Sequence, residues 1–87
     1  MATRPVLYTA PLCHLCDQAR QVVYGVLPSA ASIEEVDIHS DPALKDNYGL
    51  RIPVFAILDD RGQVIAEKGW PFTAGQLRRL VAGAADH

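Results

Sequence analysis

The fold of this 87-residue chain is decided by residues 6–16, VLYTAPLCHLC, in which a short apolar run leads through a break to two cysteines. Val6 to Thr9 is rich in β-branched and aromatic residues and predicts a strand. Ala10-Pro11-Leu12 interrupts that strand, and a helical pattern follows. Cys13 and Cys16 therefore lie at a strand-to-helix junction, and the sequence holds no further cysteine.

The spacing of the cysteine pair suits reversible disulfide chemistry. Residues three apart share one side of a helix, and one turn brings their Cα atoms to the roughly 5.5 Å that a disulfide needs. Cys13 would lie at the positive end of the helix dipole, which favours the thiolate over the thiol. The thiolate is the attacking species in disulfide exchange, so Cys13 is the predicted nucleophile. Cys16, one turn inside, is placed to resolve a mixed disulfide.

Two other interpretations of the pair stay open. Free cysteines are often small buried apolar residues, so both could simply fill the core. A metal site could in principle combine the two thiolates with His14, Asp37 or His39, but these show none of the ligand spacing of zinc motifs. A CxxC between a strand and a helix, in a chain without other cysteines, favours the redox interpretation.

The first half of the remaining chain predicts a helix, a strand and a short helix. The apolar face of the first helix is predicted to comprise Leu15, Ala19, Val22, Val23 and Val26. Pro28 should end this helix. A second strand is predicted from Ile33 to Ile38, with Val36 and Ile38 facing inward. Asp41 and Pro42 are typical of a helix start, and Gly49 suits a left-handed helix end.

The second half predicts a hairpin and a final helix. Residues 54–58 form a continuous apolar run, as expected for a central strand covered on both faces. Residues 59–62 predict the hairpin turn, with Gly62 available for positive φ, and residues 63–68 the returning strand. Thr73 and Gln76 match a capping box at the start of the last helix. Its apolar stripe is predicted to comprise Leu77, Leu80, Val81 and Ala84.

Composition excludes several classes of protein. With 49% apolar and 21% charged residues the chain is an ordinary globular one, and we expect a single domain over residues 1–87. Eight basic residues against ten acidic residues give a net charge of −2, which argues against a nucleic-acid-binding face. The apolar runs are too short to span a bilayer. No stretch of signal-peptide length is present, so the expected location is the cytoplasm.

The element order, the CxxC after the first strand and residues 48–53, Tyr-Gly-Leu-Arg-Ile-Pro, resemble the thioredoxin superfamily. The short chain is most similar to the small bacterial glutaredoxin-like proteins of that superfamily. The resemblance implies an α/β, thioredoxin-like fold of the glutaredoxin type. Its order is β-α-β-α-β-β-α, with a four-stranded mixed sheet and helices on both faces. It also implies a cis Pro53 that faces the dithiol, and an Ile52 backbone that binds an extended substrate as a short β-bridge.

The function implied by this resemblance is that of a thiol–disulfide oxidoreductase with Cys13 and Cys16 as catalytic residues. The substrate-binding residues are expected to be Arg51, Ile52, Pro53, Gly69 and Trp70. The expected partner is a protein or low-molecular-weight disulfide, bound by a monomer without a metal or resident cofactor. The main alternative is a non-catalytic thioredoxin-like binding module with vestigial cysteines and an exposed apolar surface around Trp70. A metal-binding CxxC protein is the other alternative.

Departures from the glutaredoxin pattern bear on glutathione. Glutaredoxins usually carry Cys-Pro-Tyr-Cys and a lysine three residues before the first cysteine, where this chain has Ala10. Their Thr-Val-Pro is replaced by Arg51-Ile52-Pro53. Their Gly-Gly followed by acidic residues, which holds the amine of glutathione, is represented only by Gly69. We therefore expect glutathione to serve at most as a weak co-substrate.

Overall fold

The computed structural model describes residues 3–26, 33–49 and 51–85 of the chain. Its strands are β1 (Arg4–Thr9), β2 (Glu34–Asp37), β3 (Val54–Leu58) and β4 (Val64–Gly69). Its helices are α1 (His14–Val26), α2 (Pro42–Tyr48) and α3 (Ala74–Ala85), with a short 3-10 helix (Ile38–Ser40) before α2. The predicted order of strands and longer helices is confirmed, and the 3-10 helix is an addition to it.

The strands form one mixed sheet in the order β2-β1-β3-β4. The β1 strand pairs in parallel with β2 and antiparallel with β3, and β3 pairs antiparallel with β4. All five residues of β3 are buried, as predicted for a central strand covered on both faces. The four-stranded mixed sheet expected from the resemblance is therefore present.

Helices cover both faces of this sheet because side chains alternate along its two central strands. Leu7 and Phe55 lie on one face, in a core with α1 and α3. Tyr8 and Val54 lie on the other face, in a second core that includes Tyr48 of α2. Alternation along two buried strands thus builds two cores from one sheet.

The inward face of α1 differs from the prediction at Leu15. Its buried residues are Cys16, Ala19 and Val23, with Val22 and Val26 partly buried against the same core. Leu15 is instead 46% exposed. Successive helical residues are about 100° apart, so Cys16 takes the inward direction in the first turn and Leu15 is turned toward solvent. Pro28, predicted to end the helix, lies outside the described residues.

The segment leading into α2 is largely as predicted, but β2 ends at Asp37. Ile38 is buried as expected, although it opens the 3-10 helix instead of closing the strand. The Asp41 side chain caps α2 by accepting a hydrogen bond of 2.9 Å from the Ala43 amide. The left-handed end predicted at Gly49 is wrong, because Gly49 has φ −53° and its amide donates to the Lys45 carbonyl. A Cβ there would lie 2.5 Å from that carbonyl oxygen, so close approach explains the glycine.

The hairpin and the last helix follow the sequence signals. The Asp59 carboxylate accepts hydrogen bonds of 2.9 Å from the amides of Arg61 and Gln63, and Gly62 has φ +83°. Thr73 and Gln76 form the predicted capping box with bonds of 3.0 and 3.1 Å. These turns fix where β4 and α3 begin.

The same substitution should act in opposite directions at two glycines. Gly62→Ala should lower the free energy of unfolding by about 1–2 kcal/mol, because the left-handed region disfavours a Cβ. Gly83→Ala should raise it by about 0.5–1 kcal/mol, because Gly83 is helical with nothing within 4 Å of an added Cβ. Urea unfolding curves measure both changes, and shifts in the same direction would contradict this account.

Candidate functional site

The two cysteines lie where the loop after β1 enters α1. Cys13 directly precedes the first helical residue, and Cys16 lies in the first turn. They form a disulfide with Cα atoms 5.2 Å apart. One helical turn thus brings the sulfurs together, as the spacing predicted.

The two sulfurs differ in exposure. Cys16 is completely buried, with 0% of its surface accessible, whereas Cys13 is partly exposed. The Cys16 amide donates a hydrogen bond of 3.1 Å to Cys13 Sγ, so that the Cys13 sulfur occupies the place of a helix N-cap acceptor. An amide aimed at this sulfur stabilises negative charge on it in the reduced protein. Exposure and polarity therefore both distinguish the Cys13 sulfur from the buried Cys16 sulfur.

A groove of about 280 Å³ lies beside Cys13. Its walls are formed by Ala10, Pro11, Leu12, Cys13, His14, Asp17 and Arg20. Leu12 has φ +57°, an uncommon conformation for a leucine, and its side chain is fully exposed. Leu12 thus adds an exposed apolar side chain to a groove that also contains the charged Asp17 and Arg20.

The cation in this groove is neutralised by its own chain. Arg20 pairs with Asp17 at 2.5 Å and with Glu35 of β2 at 2.6 Å. Tyr24 donates a hydrogen bond of 2.7 Å to the other Glu35 oxygen. The hydrogen bond to Glu35 raises the pKa of Arg20 above its ordinary value. Arg20 thus ties α1 to the edge of the sheet.

The predicted substrate segment lies at the start of β3. The Ile52–Pro53 peptide bond is cis, as the resemblance implied. Val54 lies opposite Tyr8 of β1 and also opposite Gly69 of β4. Pro53 therefore lies beside the end of β1, from which the loop to Cys13 departs. The same pairing brings residues 51–53 next to Gly69.

Gly69 and Trp70 lie beside residues 51–53 on the β4 side. The Trp70 amide donates a hydrogen bond of 2.9 Å to the Pro53 carbonyl, and a Cβ on Gly69 would lie 3.8 Å from the Arg51 carbonyl oxygen. The Trp70 ring is partly buried and meets Phe72 edge-on at 5.0 Å. Among the described residues around the disulfide, the most exposed large apolar side chains are accordingly Leu12 and Leu15.

Arg51 belongs to a cluster that sequence reasoning missed. Its guanidinium lies 4.9 Å from the centroid of the Tyr48 ring and 3.4 Å from a Glu67 oxygen. Tyr48 donates a hydrogen bond of 2.9 Å to the other Glu67 oxygen and stacks on Tyr8 at 4.5 Å. No sequence signal marks this cluster: Glu67 lies opposite Ala56, two residues along β3 from Val54, the partner of Tyr8, and only the strand register places them on one face.

Tyr48 is the most strongly perturbed titratable group of this cluster. Burial, followed by the hydrogen bond to the Glu67 carboxylate, raises its pKa to about 12. The pKa of Tyr8 is also raised, first by burial and then by the negative charge of Glu67. Both phenols therefore stay neutral at physiological pH and act as donors and packing surfaces.

Within residues 3–26, 33–49 and 51–85, no three histidine, cysteine or acidic side chains are grouped to hold a metal ion. Within the same ranges, no helix has the length and apolar character needed to cross a membrane.

Comparison with known proteins agrees with this geometry. A family model described as "Glutaredoxin-like domain (DUF836)" matches residues 5–82. The structural genomics target protein XcR50 from X. campestris is 38% identical over 91% of this chain and 96% of its own, with a TM-score of 0.70. Desulfothioredoxin from Desulfovibrio vulgaris Hildenborough is 22% identical over 95% of this chain and 82% of its own, with a TM-score of 0.74. No curated protein is a significant match.

The Tyr48–Glu67 contact should make both the stability of the fold and the ionisation of Tyr48 depend on pH above pH 10. A folded-state pKa of about 12 against 10 for free tyrosine favours the folded protein below pH 10, and this contribution is lost as pH rises from 10 to 12. Absorbance titration of tyrosinate should show a component near pH 12 that Tyr48→Phe removes. Tyr24→Phe is the control and should leave it in place. Persistence of the component in Tyr48→Phe would contradict the assignment.

Proposed function

The chain belongs to the glutaredoxin-like domain family (DUF836), and from this premise we propose that it is a thiol–disulfide oxidoreductase acting through Cys13 and Cys16. The observation that carries the proposal is the asymmetric pair at disulfide distance. One sulfur is partly exposed and accepts a helix amide, and the other is buried one turn inside. A nucleophile and a resolving thiol need this division of exposure.

The proposed reaction begins with both cysteines reduced. The Cys13 thiolate attacks one sulfur of the substrate disulfide, and the other sulfur leaves as a thiolate and takes up a proton. Cys16, deprotonated, then attacks Cys13 Sγ in the mixed disulfide and releases the second substrate thiolate. The substrate gains two electrons and two protons, and Cys13 and Cys16 are left as the disulfide. An external dithiol, or two monothiols, returns the electrons.

The substrate is proposed to dock across the start of β3. Ile52 has a backbone beside the cis Pro53 that an extended polypeptide can pair with. The Trp70 amide holds this segment from the other side by donating to the Pro53 carbonyl, and Gly69 lies close to the Arg51 carbonyl. The exposed Leu12 favours an apolar neighbour to the substrate cysteine. We accordingly propose a protein disulfide as the main substrate, reduced by a monomer in a reducing compartment such as the cytoplasm.

Glutathione fits this site less well than a polypeptide does. Ala10 packs against the core that contains Tyr8 and offers no cation where glutaredoxins carry lysine. No acidic residue lies between Gly69 and the start of α3 to meet an ammonium group. Arg51, the remaining cation of the segment, is already paired with Glu67.

The first test is the reactivity of the two cysteines. In the reduced protein, Cys13 should alkylate at neutral pH at least about tenfold faster than Cys16, because it is exposed and accepts the helix amide. Mass spectrometry after a brief pulse of iodoacetamide measures this ratio. Slow and equal alkylation would instead support the non-catalytic binding module.

Matched serine variants separate the two roles. Cys13→Ser should abolish reduction of a protein disulfide, because no nucleophile remains at the exposed position. Cys16→Ser should accumulate a mixed disulfide on Cys13, visible as an adduct in non-reducing gels. Retained turnover in Cys13→Ser would overturn the assignment of the nucleophile.

The second test concerns substrate class. Two missing charge-assisted contacts, each worth about 1.5–3 kcal/mol, should weaken glutathione binding by roughly two to four orders of magnitude. Activity on a glutathione mixed disulfide should therefore be weak or absent, while reduction of a protein disulfide is measurable. Micromolar glutathione binding, with chemical-shift changes at Cys13 and Gly69, would refute the prediction that glutathione binds weakly.

A further inference from the structure

All three guanidinium nitrogens of Arg51 have partners from its own chain. Nε donates to the Asn47 carbonyl oxygen at 3.2 Å, and Nη1 and Nη2 both donate to Glu67 Oε1 at 3.4 Å. The face of the guanidinium rests on the Tyr48 ring at 4.9 Å. The cation that directly precedes Ile52 and Pro53 is therefore compensated before any substrate arrives.

Glu67 is held in place independently of Arg51. Its second oxygen, Oε2, accepts the hydrogen bond from the Tyr48 hydroxyl at 2.9 Å. Tyr48 is only 7% exposed and is stacked on the buried Tyr8, so the hydroxyl is a fixed donor. A substrate that displaced Glu67 from Arg51 would meet a carboxylate that stays anchored nearby.

From this arrangement we infer that Glu67 is a specificity-determining residue that excludes anionic disulfides from the site. Its carboxylate takes the position on Arg51 that a substrate carboxylate would need. The favoured substrates are disulfides with neutral or cationic neighbours, as in many polypeptide segments, and glutathione disulfide is disfavoured. The inference rests on the proposed thiol–disulfide oxidoreductase function and narrows its substrate class.

The Arg51–Glu67 ion pair is exposed and therefore weak, but Glu67 is tethered beside Arg51 and still competes with a substrate carboxylate. Exposed ion pairs contribute about 0.2–1 kcal/mol, and this energy alone would not stop a strongly binding anion from displacing Glu67 from Arg51. A group tethered at the site acts at an effective concentration in roughly the millimolar range, so a dilute anionic substrate loses this competition. The anchored Glu67 charge also repels a second carboxylate. Removing the charge of Glu67 should therefore increase reactivity toward anionic disulfides selectively.

The experiment compares two small disulfides of different charge. Pre-reduced protein is mixed with glutathione disulfide or with uncharged bis(2-hydroxyethyl) disulfide, and oxidation is stopped by alkylation and followed by mass spectrometry. The readout is the second-order rate constant for glutathione disulfide divided by that for the neutral disulfide. Glu67→Gln, which keeps an oxygen acceptor for Tyr48, should raise this ratio about threefold to tenfold.

Three further variants make the result specific. Glu34→Gln removes the same charge from another carboxylate, one that pairs with Arg4 at 3.7 Å at the opposite end of β1, and should leave the ratio unchanged. Arg51→Gln in the Glu67→Gln background should abolish the gain, because the gain depends on the released guanidinium. Glu67→Ala should show the same gain as Glu67→Gln, which guards against an effect of the glutamine itself.

The outcomes separate this inference from the proposed function. A ratio unchanged in both Glu67→Gln and Glu67→Ala, with wild-type protein still oxidised by the neutral disulfide, would overturn the inference and leave the proposed function standing. An equal gain in Glu34→Gln would also overturn it, since net charge would then be the cause. Reduced protein that reacts with neither small disulfide, in any variant, would overturn the inference, and if it also failed to reduce a protein disulfide, the proposed function would fall with it.

Discussion

The antiparallel pairing of β1 with β3 is the interaction on which the rest of the structure depends. Leu7 lies opposite Phe55 and both are completely buried, so this pair cannot slip by one residue without exchanging the two faces of both strands. The same register places Tyr8 opposite Val54. Pro53, one residue earlier, then lies beside the point where β1 ends and the loop to Cys13 begins. The dithiol and the proposed substrate segment are neighbours because two buried strands have this alignment.

The site draws on both cores of the molecule. Cys16 is buried in the first turn of α1, the helix that packs on the face of Leu7 and Phe55. Tyr8 points to the opposite face, where it stacks on Tyr48. The helix that carries Cys16 and the tyrosine that supports Arg51 therefore belong to different layers of the fold. A single strand, β1, connects the two layers, so that changes in its packing would reach both parts of the site.

Electrostatic compensation is a shared feature of the two cations near the site. Arg20 and Arg51 each pair with a glutamate whose other oxygen accepts a tyrosine hydroxyl, Glu35 with Tyr24 and Glu67 with Tyr48. Each glutamate lies on an edge strand, β2 or β4, so the same polar arrangement occurs at both sides of the sheet. With these cations paired, the polar groups left for the proposed substrate are the helix amide at Cys13 and the strand backbone beside Pro53.

The sequence alone determined the features that depend on local rules. The disulfide between Cys13 and Cys16, the Asp59–Gly62 turn and the Thr73–Gln76 capping box rest on contacts within a few residues, and these predictions are confirmed. The burial of β3 is a long-range feature, but its continuous apolar run predicted it correctly. The family resemblance added the four-stranded mixed sheet with helices on both faces and the cis peptide at Pro53, which no local rule indicates, whereas the strand order came from the structure.

Only the tertiary structure decided what depends on register and facing. Leu15 was assigned inward by its spacing, but the direction of the first turn of α1 is set by Cys16 entering the core, and Leu15 is exposed. Gly49 has the signature of a left-handed cap, yet the approach of the Lys45 carbonyl is what requires a glycine there. Arg51 and Glu67 are 16 residues apart and share no motif. Their pairing follows from the alignment of β4 with β3, and a contact of that kind cannot be read from a sequence before its strands are placed side by side.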